Sequence, residues 1–181
     1  MRKLSLTCMG KDKPGIVAKV SEVLFKTGCS IEGSRMSLLQ GEFAIIMIFT
    51  LFNDENIKIL RRELKRVEYE MDIEINLREI TPDEYEEIQK LPSKTYQINL
   101  YGADKPGIVF NVANILYINN INIIDLYTDI IESNNSKVYI MSITVDGDKI
   151  PSLEFLKEKV EKVCKEMGLQ VSIQEMEEVE M

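Results

Sequence analysis

The eight-residue segment Gly10-Lys11-Asp12-Lys13-Pro14-Gly15-Ile16-Val17 returns 92 residues later as Gly102-Ala103-Asp104-Lys105-Pro106-Gly107-Ile108-Val109, identical at seven of eight positions. Self-similarity at a fixed offset means that the same supersecondary unit is built twice. The likeness continues on both sides of the segment. Leu4, Leu6 and Cys8 correspond to Tyr96, Ile98 and Leu100, and both sets alternate with polar residues as a half-buried strand does. Val20 and Leu24 correspond to Val112 and Leu116 at helical spacing. A chain of 181 residues divides comfortably into two domains of this size. The expected division is a first domain over residues 1–80, a linker over 81–94 and a second domain over 95–181.

Each copy reads as strand, helix, strand, strand, helix, strand. In the first copy, residues 3–9 alternate as a strand. Pro14 suits a first helical turn, where its missing N–H costs nothing, and Asp12 is placed to satisfy free donors there. Ile16, Val17, Val20, Val23 and Leu24 form an apolar helical stripe that Gly28 ends. Strands over 30–39 and 42–52 turn at Gln40-Gly41, a helix runs over 54–70, and a last strand spans 72–79. The second copy repeats this order, with a helix over 151–167 that Gly168 closes. Thr81-Pro82-Asp83-Glu84 has the chemistry of a cap and first turn, so 82–91 is expected as a short linker helix stopped near Pro92. The order β-α-β-β-α-β implies an α+β fold of two ferredoxin-like sandwiches, each an antiparallel sheet with two helices on one face.

Composition excludes several functions. The net charge is −8, and Arg61, Arg62, Lys65 and Arg66 are interrupted by Glu63, Glu68 and Glu70. Nucleic-acid binding needs a basic patch or stripe, so no direct nucleic-acid partner is expected. RNA recognition by this topology would also need aromatic and basic strand positions that are missing. The chain contains no histidine, which removes the commonest general base and the commonest metal ligand. No metal site, no cofactor and no catalytic residue is expected, and the chain is read as a non-enzyme. Cys8, Cys29 and Cys164 are odd in number and lie in apolar patterns, as buried reduced thiols do. With no apolar run long enough for a membrane span or a signal core, the expected location is the cytoplasm.

The paired G-x-D-K-P-G-I-V loops, each between a strand and a helix, resemble the ACT domain, once per copy and over essentially the whole chain. The stretch Gly28-Cys29-Ser30-Ile31-Glu32-Gly33-Ser34-Arg35-Met36, with Gly41-Glu42-Phe43, resembles the amino-terminal ACT domain of the glycine cleavage repressor family. The resemblance implies a tandem ACT regulatory protein. Such a protein binds a small-molecule effector, an amino acid or similar, where two ACT domains meet, and acts through a regulatory partner protein. It implies a transcriptional or metabolic role in glycine or amino-acid metabolism. An asparagine begins the second strand of many ligand-binding ACT domains; here the second copy has Asn122 where the first has Ser30.

The loops suit an amino acid physically. Free backbone N–H groups and the positive end of a helix dipole favour a carboxylate. Asp12 and Asp104 can hold an ammonium group, and Gly15 and Gly107 allow close approach of a ligand. The expected binding residues are Asp12, Pro14, Gly15 and Ile16 in the first copy, and Asp104, Pro106, Gly107, Ile108 and Asn122 in the second. Lys13 and Lys105 read either as neutralisers of a bound carboxylate or as solvated lysines. The strand Phe43-Ala44-Ile45-Ile46-Met47-Ile48-Phe49-Thr50-Leu51-Phe52 is apolar on both faces, so its outer face is expected to meet the second copy, a second chain or a partner. A homodimer is expected on that ground. Glu175, Glu177, Glu178 and Glu180, alternating with Met176 and Val179, read as a frayed edge strand or a solvated end rather than a cation site. A structural dimerisation module without a ligand is the alternative reading.

Overall fold

The computed structural model describes residues 1–88, 92–133 and 136–176. The chain forms two compact units, Met1–Lys90 and Leu91–Met181. In the first, β1 (Arg2–Lys11) leads to α1 (Ile16–Lys26), the hairpin of β2 (Cys29–Leu39) and β3 (Glu42–Leu51), α2 (Ile57–Met71) and β4 (Ile73–Glu79). A short helix, α3 (Pro82–Ile88), follows. The second unit has β5 (Thr95–Ala103), α4 (Ile108–Ile118), β6 (Ile123–Ser133), β7 (Ser136–Asp146), α5 (Leu153–Met167) and β8 (Gln170–Met176). The two antiparallel sheets have orders β2-β3-β1-β4 and β6-β7-β5-β8, the β-α-β-β-α-β arrangement repeated.

Register shows how closely the units match. The first helices are 92 residues apart, whereas α2 and α5 are 96 apart, starting at Ile57 and Leu153. The pairs Leu4↔Phe49 and Tyr96↔Val145 put the change between β6 and β7, so the second hairpin is four residues longer. The edge strands β2 and β6 carry a bulge at the same place, between Ile31 and Gly33 and between Ile123 and Asp125. Each core has the same origin. Inward residues of the two inner strands, Leu4, Leu6, Cys8, Phe43, Ile45, Met47 and Phe49, pack against Ile16, Val20, Leu24, Leu60, Leu64 and Val67 of the helices. Tyr96, Ile98, Leu100, Met141, Ile143 and Val145 do so with Ile108, Val112, Leu116, Leu156, Val160 and Cys164.

Several local expectations are corrected. Asp12 caps nothing: the residue before α1 is Gly15, which receives no side-chain cap, and Pro14 lies in the turn before the helix. Val17 lies toward solvent rather than in the buried stripe. Gln40 and Gly41 both have positive φ, 50° and 87°, as a tight two-residue hairpin turn requires. The linker helix forms a capping box: the Thr81 amide donates to the Glu84 carboxylate at 2.9 Å and the Glu84 amide to Thr81 Oγ1 at 3.3 Å. Its predicted continuation over 89–91 lies outside the described residues, as do Glu177, Glu178 and Glu180. Tyr85 of α3 lies under Lys3 Nζ, 3.3 Å from the ring centroid, and Lys3 pairs with Glu32 at 2.7 Å. Glu32 also accepts from buried Thr50, so one end of the outer face of the first sheet is covered by its own linker.

Candidate functional site

Gly15 and Gly107 sit immediately before α1 and α4 with φ of 98° and 89°. This left-handed conformation is costly for residues with a Cβ, so the backbone itself requires glycine at both places. Neither helix start has a side-chain cap; in the first, the Ile16 amide donates to the Lys13 carbonyl at 3.5 Å and the amides after it are left for an outside acceptor. Ile16 and Ile108 turn inward as the first core residues of their helices. Asp12 and Asp104 are exposed at the strand ends, and the Asp12 amide donates to the Gly41 carbonyl at 2.9 Å, tying the loop to the neighbouring hairpin.

The repeated lysine has a structural role in both loops. Lys13 Nζ donates to the Met71 carbonyl at 2.9 Å, and Lys105 Nζ to the Met167 carbonyl at 2.8 Å. Each ammonium thus closes the carboxyl end of its unit's second helix, where carbonyls are unpaired and the dipole is negative. Lys13 is also 3.7 Å from Asp72. Neither lysine needs a ligand to explain its position.

Asn122 lies far from the loop of its own unit. The loop precedes α4 and Asn122 follows it, and an 11-residue helix is about 16 Å long. The Asn122 carbonyl accepts from the Asp146 amide at 2.9 Å. The second loop instead has a neighbour that the linear sequence did not reveal. Tyr139 occupies the register position of Phe43, opposite Gly102 as Phe43 is opposite Gly10. Burial pushes its hydroxyl pKa up, a hydrogen bond with Thr128 opposes that, and the charge of Asp104 adds to the rise. Tyr139 and Thr128 therefore make the second loop more polar than the first. The insertion in the hairpin hides this equivalence at constant offset.

The thiols are poorly suited to chemistry. Burial pushes Cys8 and Cys164 up to about 11, and Cys29 is raised as well although only half-buried. No cluster of three or more Cys, Asp or Glu among the described residues is placed to hold a metal ion. No helix among them is long and apolar enough to cross a membrane. The edge strands β2 and β6 carry exposed apolar residues. Met36, Leu38 and Leu39 of β2 and Leu126, Tyr127 and Ile130 of β6 all lie toward solvent.

Comparison with known proteins agrees with this fold. ACT domain models match residues 2–78 and 96–158. The glycine cleavage system transcriptional repressor of Escherichia coli is 23% identical over 172 residues, 94% of this chain and 88% of the repressor. A UPF0237 protein of Methanopyrus kandleri is 33% identical over 76 residues, 41% of this chain and 84% of that protein. Among solved structures, an unknown protein from Galdieria sulphuraria superposes with a TM-score of 0.80 at 23% identity, covering 97% of this chain and 98% of that one. The structure of a candidate glycine cleavage system transcriptional repressor does so with a TM-score of 0.71 at 21% identity, covering 98% of each. With both of its units matched in sequence and fold, the chain belongs to the ACT domain family, as a tandem regulatory member related to the glycine cleavage repressor.

Proposed function

We propose that this chain is an effector sensor: it binds a free amino acid, or a small molecule with the same two charged ends, and passes the bound state to a partner protein. Its domains are residues 1–80 and 95–181, held by the 81–94 linker, and it works in the cytoplasm as a homodimer without catalysing a reaction. The observation carrying this reading is the duplicated loop. Each copy combines an uncapped helix start, a left-handed glycine and an exposed aspartate, which suit a carboxylate and an ammonium group. Asn122 lies a helix length from its own loop, so within the homodimer it serves a site with a loop of a second chain. The second copy, with Asn122, Tyr139 and Thr128, supplies the tighter half. Relatedness to the glycine cleavage repressor favours control of glycine or amino-acid metabolism.

The test is a thermal-shift screen of the full chain against the twenty amino acids and folate derivatives. A ligand at 100 times its dissociation constant adds about 2.7 kcal/mol of stability, a shift of several degrees for domains of this size. No shift with any compound counts against the proposal. The alternative, a structural dimerisation module, is favoured by the exposed apolar residues on the edge strands β2 and β6. It requires dimerisation with no ligand response.

A further inference from the structure

We propose that the outer face of the first sheet carries a second small-molecule site, apart from the loops, that takes an organic cation with an apolar stem such as an arylalkylamine. The shared register of the two units allows their outer faces to be compared row by row. One row of the first sheet holds Ser37, Ala44, Met9 and Glu74 across its four strands. The same row of the second sheet holds Asp129, Ile140, Tyr101 and Gln170. Large Ile140 and Tyr101 fill the second sheet. On the first, the small Ala44 in place of isoleucine leaves a trough of about 600 Å3, within the range of small-molecule sites. Met9 and Leu39 flank it and are 53% and 63% exposed, an apolar surface with one adaptable thioether wall.

The charge of the trough selects the occupant. Its rim carries Glu42, Asp72 and Glu74, and no lysine or arginine lines it. Lys11 stands opposite Glu42 in the ladder and Lys13 is 3.7 Å from Asp72, whereas Glu74 makes no ion pair among the described residues. An ammonium group near Glu74 with its stem against Met9 and Leu39 would satisfy both features. An anion would meet three carboxylates, and a neutral apolar molecule would leave Glu74 unused. The linker helix covers the opposite end of this face, near Thr50, so the trough end remains free of it.

The experiment is methyl NMR of the full chain labelled at methionine, with the Met9 signal assigned by Met9→Leu. Phenethylamine, its neutral counterpart 2-phenylethanol and the anionic 3-phenylpropionate share one ring. The amine should shift the Met9 methyl in a saturable way, with the alcohol about threefold to fivefold weaker and the propionate weaker still, the size expected of an exposed charge pair. Ala44→Ile should abolish the shift. Isoleucine stands at the matching place in the second sheet, so the fold should tolerate it. Glu74→Gln, at an exposed position, should reduce the amine to the strength of the alcohol, while Asp12→Ala in the loop should leave it unchanged. Equal binding of the three compounds, an unmoved Met9 methyl, or full amine binding by a folded Ala44→Ile chain would each overturn the site. Binding of a lysine-bearing peptide without binding of the amine would overturn it too, placing a macromolecule there instead.

Discussion

At the scale of single residues, the motif separates into parts with different physical causes. Its glycine answers a backbone requirement and its lysine closes a distant helix, which leaves the aspartate and the outward amides as the atoms available to an effector. Replacing Lys13 or Lys105 with methionine should therefore lower stability by about 1 kcal/mol, the worth of a cation at a helix carboxyl end, read as a shifted urea midpoint. Effector affinity should not change; a loss of affinity at unchanged stability would make the lysines ligand contacts. The thiols give a second residue-scale prediction. In the folded chain Cys8 and Cys164 ionise near 11, against an ordinary value of 9.0. A thiol whose folded pKa is raised contributes stability that is complete below pH 9 and is lost as pH climbs toward 11, so the urea midpoint should fall across that window. Disulfide reagents at pH 8 should label half-buried Cys29 first and the other two only on unfolding. Immediate labelling of all three would contradict the packing.

At the scale of elements, strands and helices were legible because periodicity and turn chemistry agreed. Leu4, Leu6 and Cys8 announce β1, Gln40-Gly41 the first hairpin, and Gly168 the end of α5. The exposure of β2 was not legible. Cys29-Ser30-Ile31-Glu32-Gly33-Ser34-Arg35-Met36-Ser37-Leu38-Leu39 holds enough apolar residues to read as half-buried, yet the order β2-β3-β1-β4 puts it at an edge and leaves it open after Cys29. Position within a sheet depends on long-range pairing, which local pattern does not encode. The polar setting of the second loop was hidden for a related reason, since the longer hairpin moves Tyr139 into the register of Phe43. The candidate site was legible as a motif but not as a geometry: the 11-residue length of α4 sets the distance that keeps Asn122 from its own loop. An exposed apolar edge strand is a template for pairing with another chain. Met36→Lys together with Leu38→Lys should shift a dimer toward monomer in sedimentation at micromolar concentration while leaving the helical circular-dichroism signal intact. An unaltered dimer would place the interface elsewhere.

At the scale of the whole molecule, duplication accounts for the architecture, and divergence between the copies accounts for what each can do. The first unit has a phenyl ring beside its loop and a trough on its outer face. The second has a tyrosine beside its loop, and on its outer face a hydrogen-bonded row in which Gln97 donates to Ser142 at 3.1 Å and Ser142 to Asn99 at 2.8 Å. Two copies that keep one motif while changing its surroundings suit a sensor with unequal half-sites. Substituting the glycines would confuse strain with blocked access, because their φ values of 98° and 89° disfavour any side chain. The exposed aspartates avoid that confusion. The most direct measurement is calorimetric titration of the effector found by thermal shift into the parent chain, Asp12→Ala, Asp104→Ala and Asn122→Ala. The account predicts that all three variants fold as the parent does, with affinity reduced about tenfold or more for Asp104→Ala and Asn122→Ala and less for Asp12→Ala, as loss of a charge-assisted hydrogen bond implies. Parent-like affinity in all three would contradict it and leave the loops as helix starters alone.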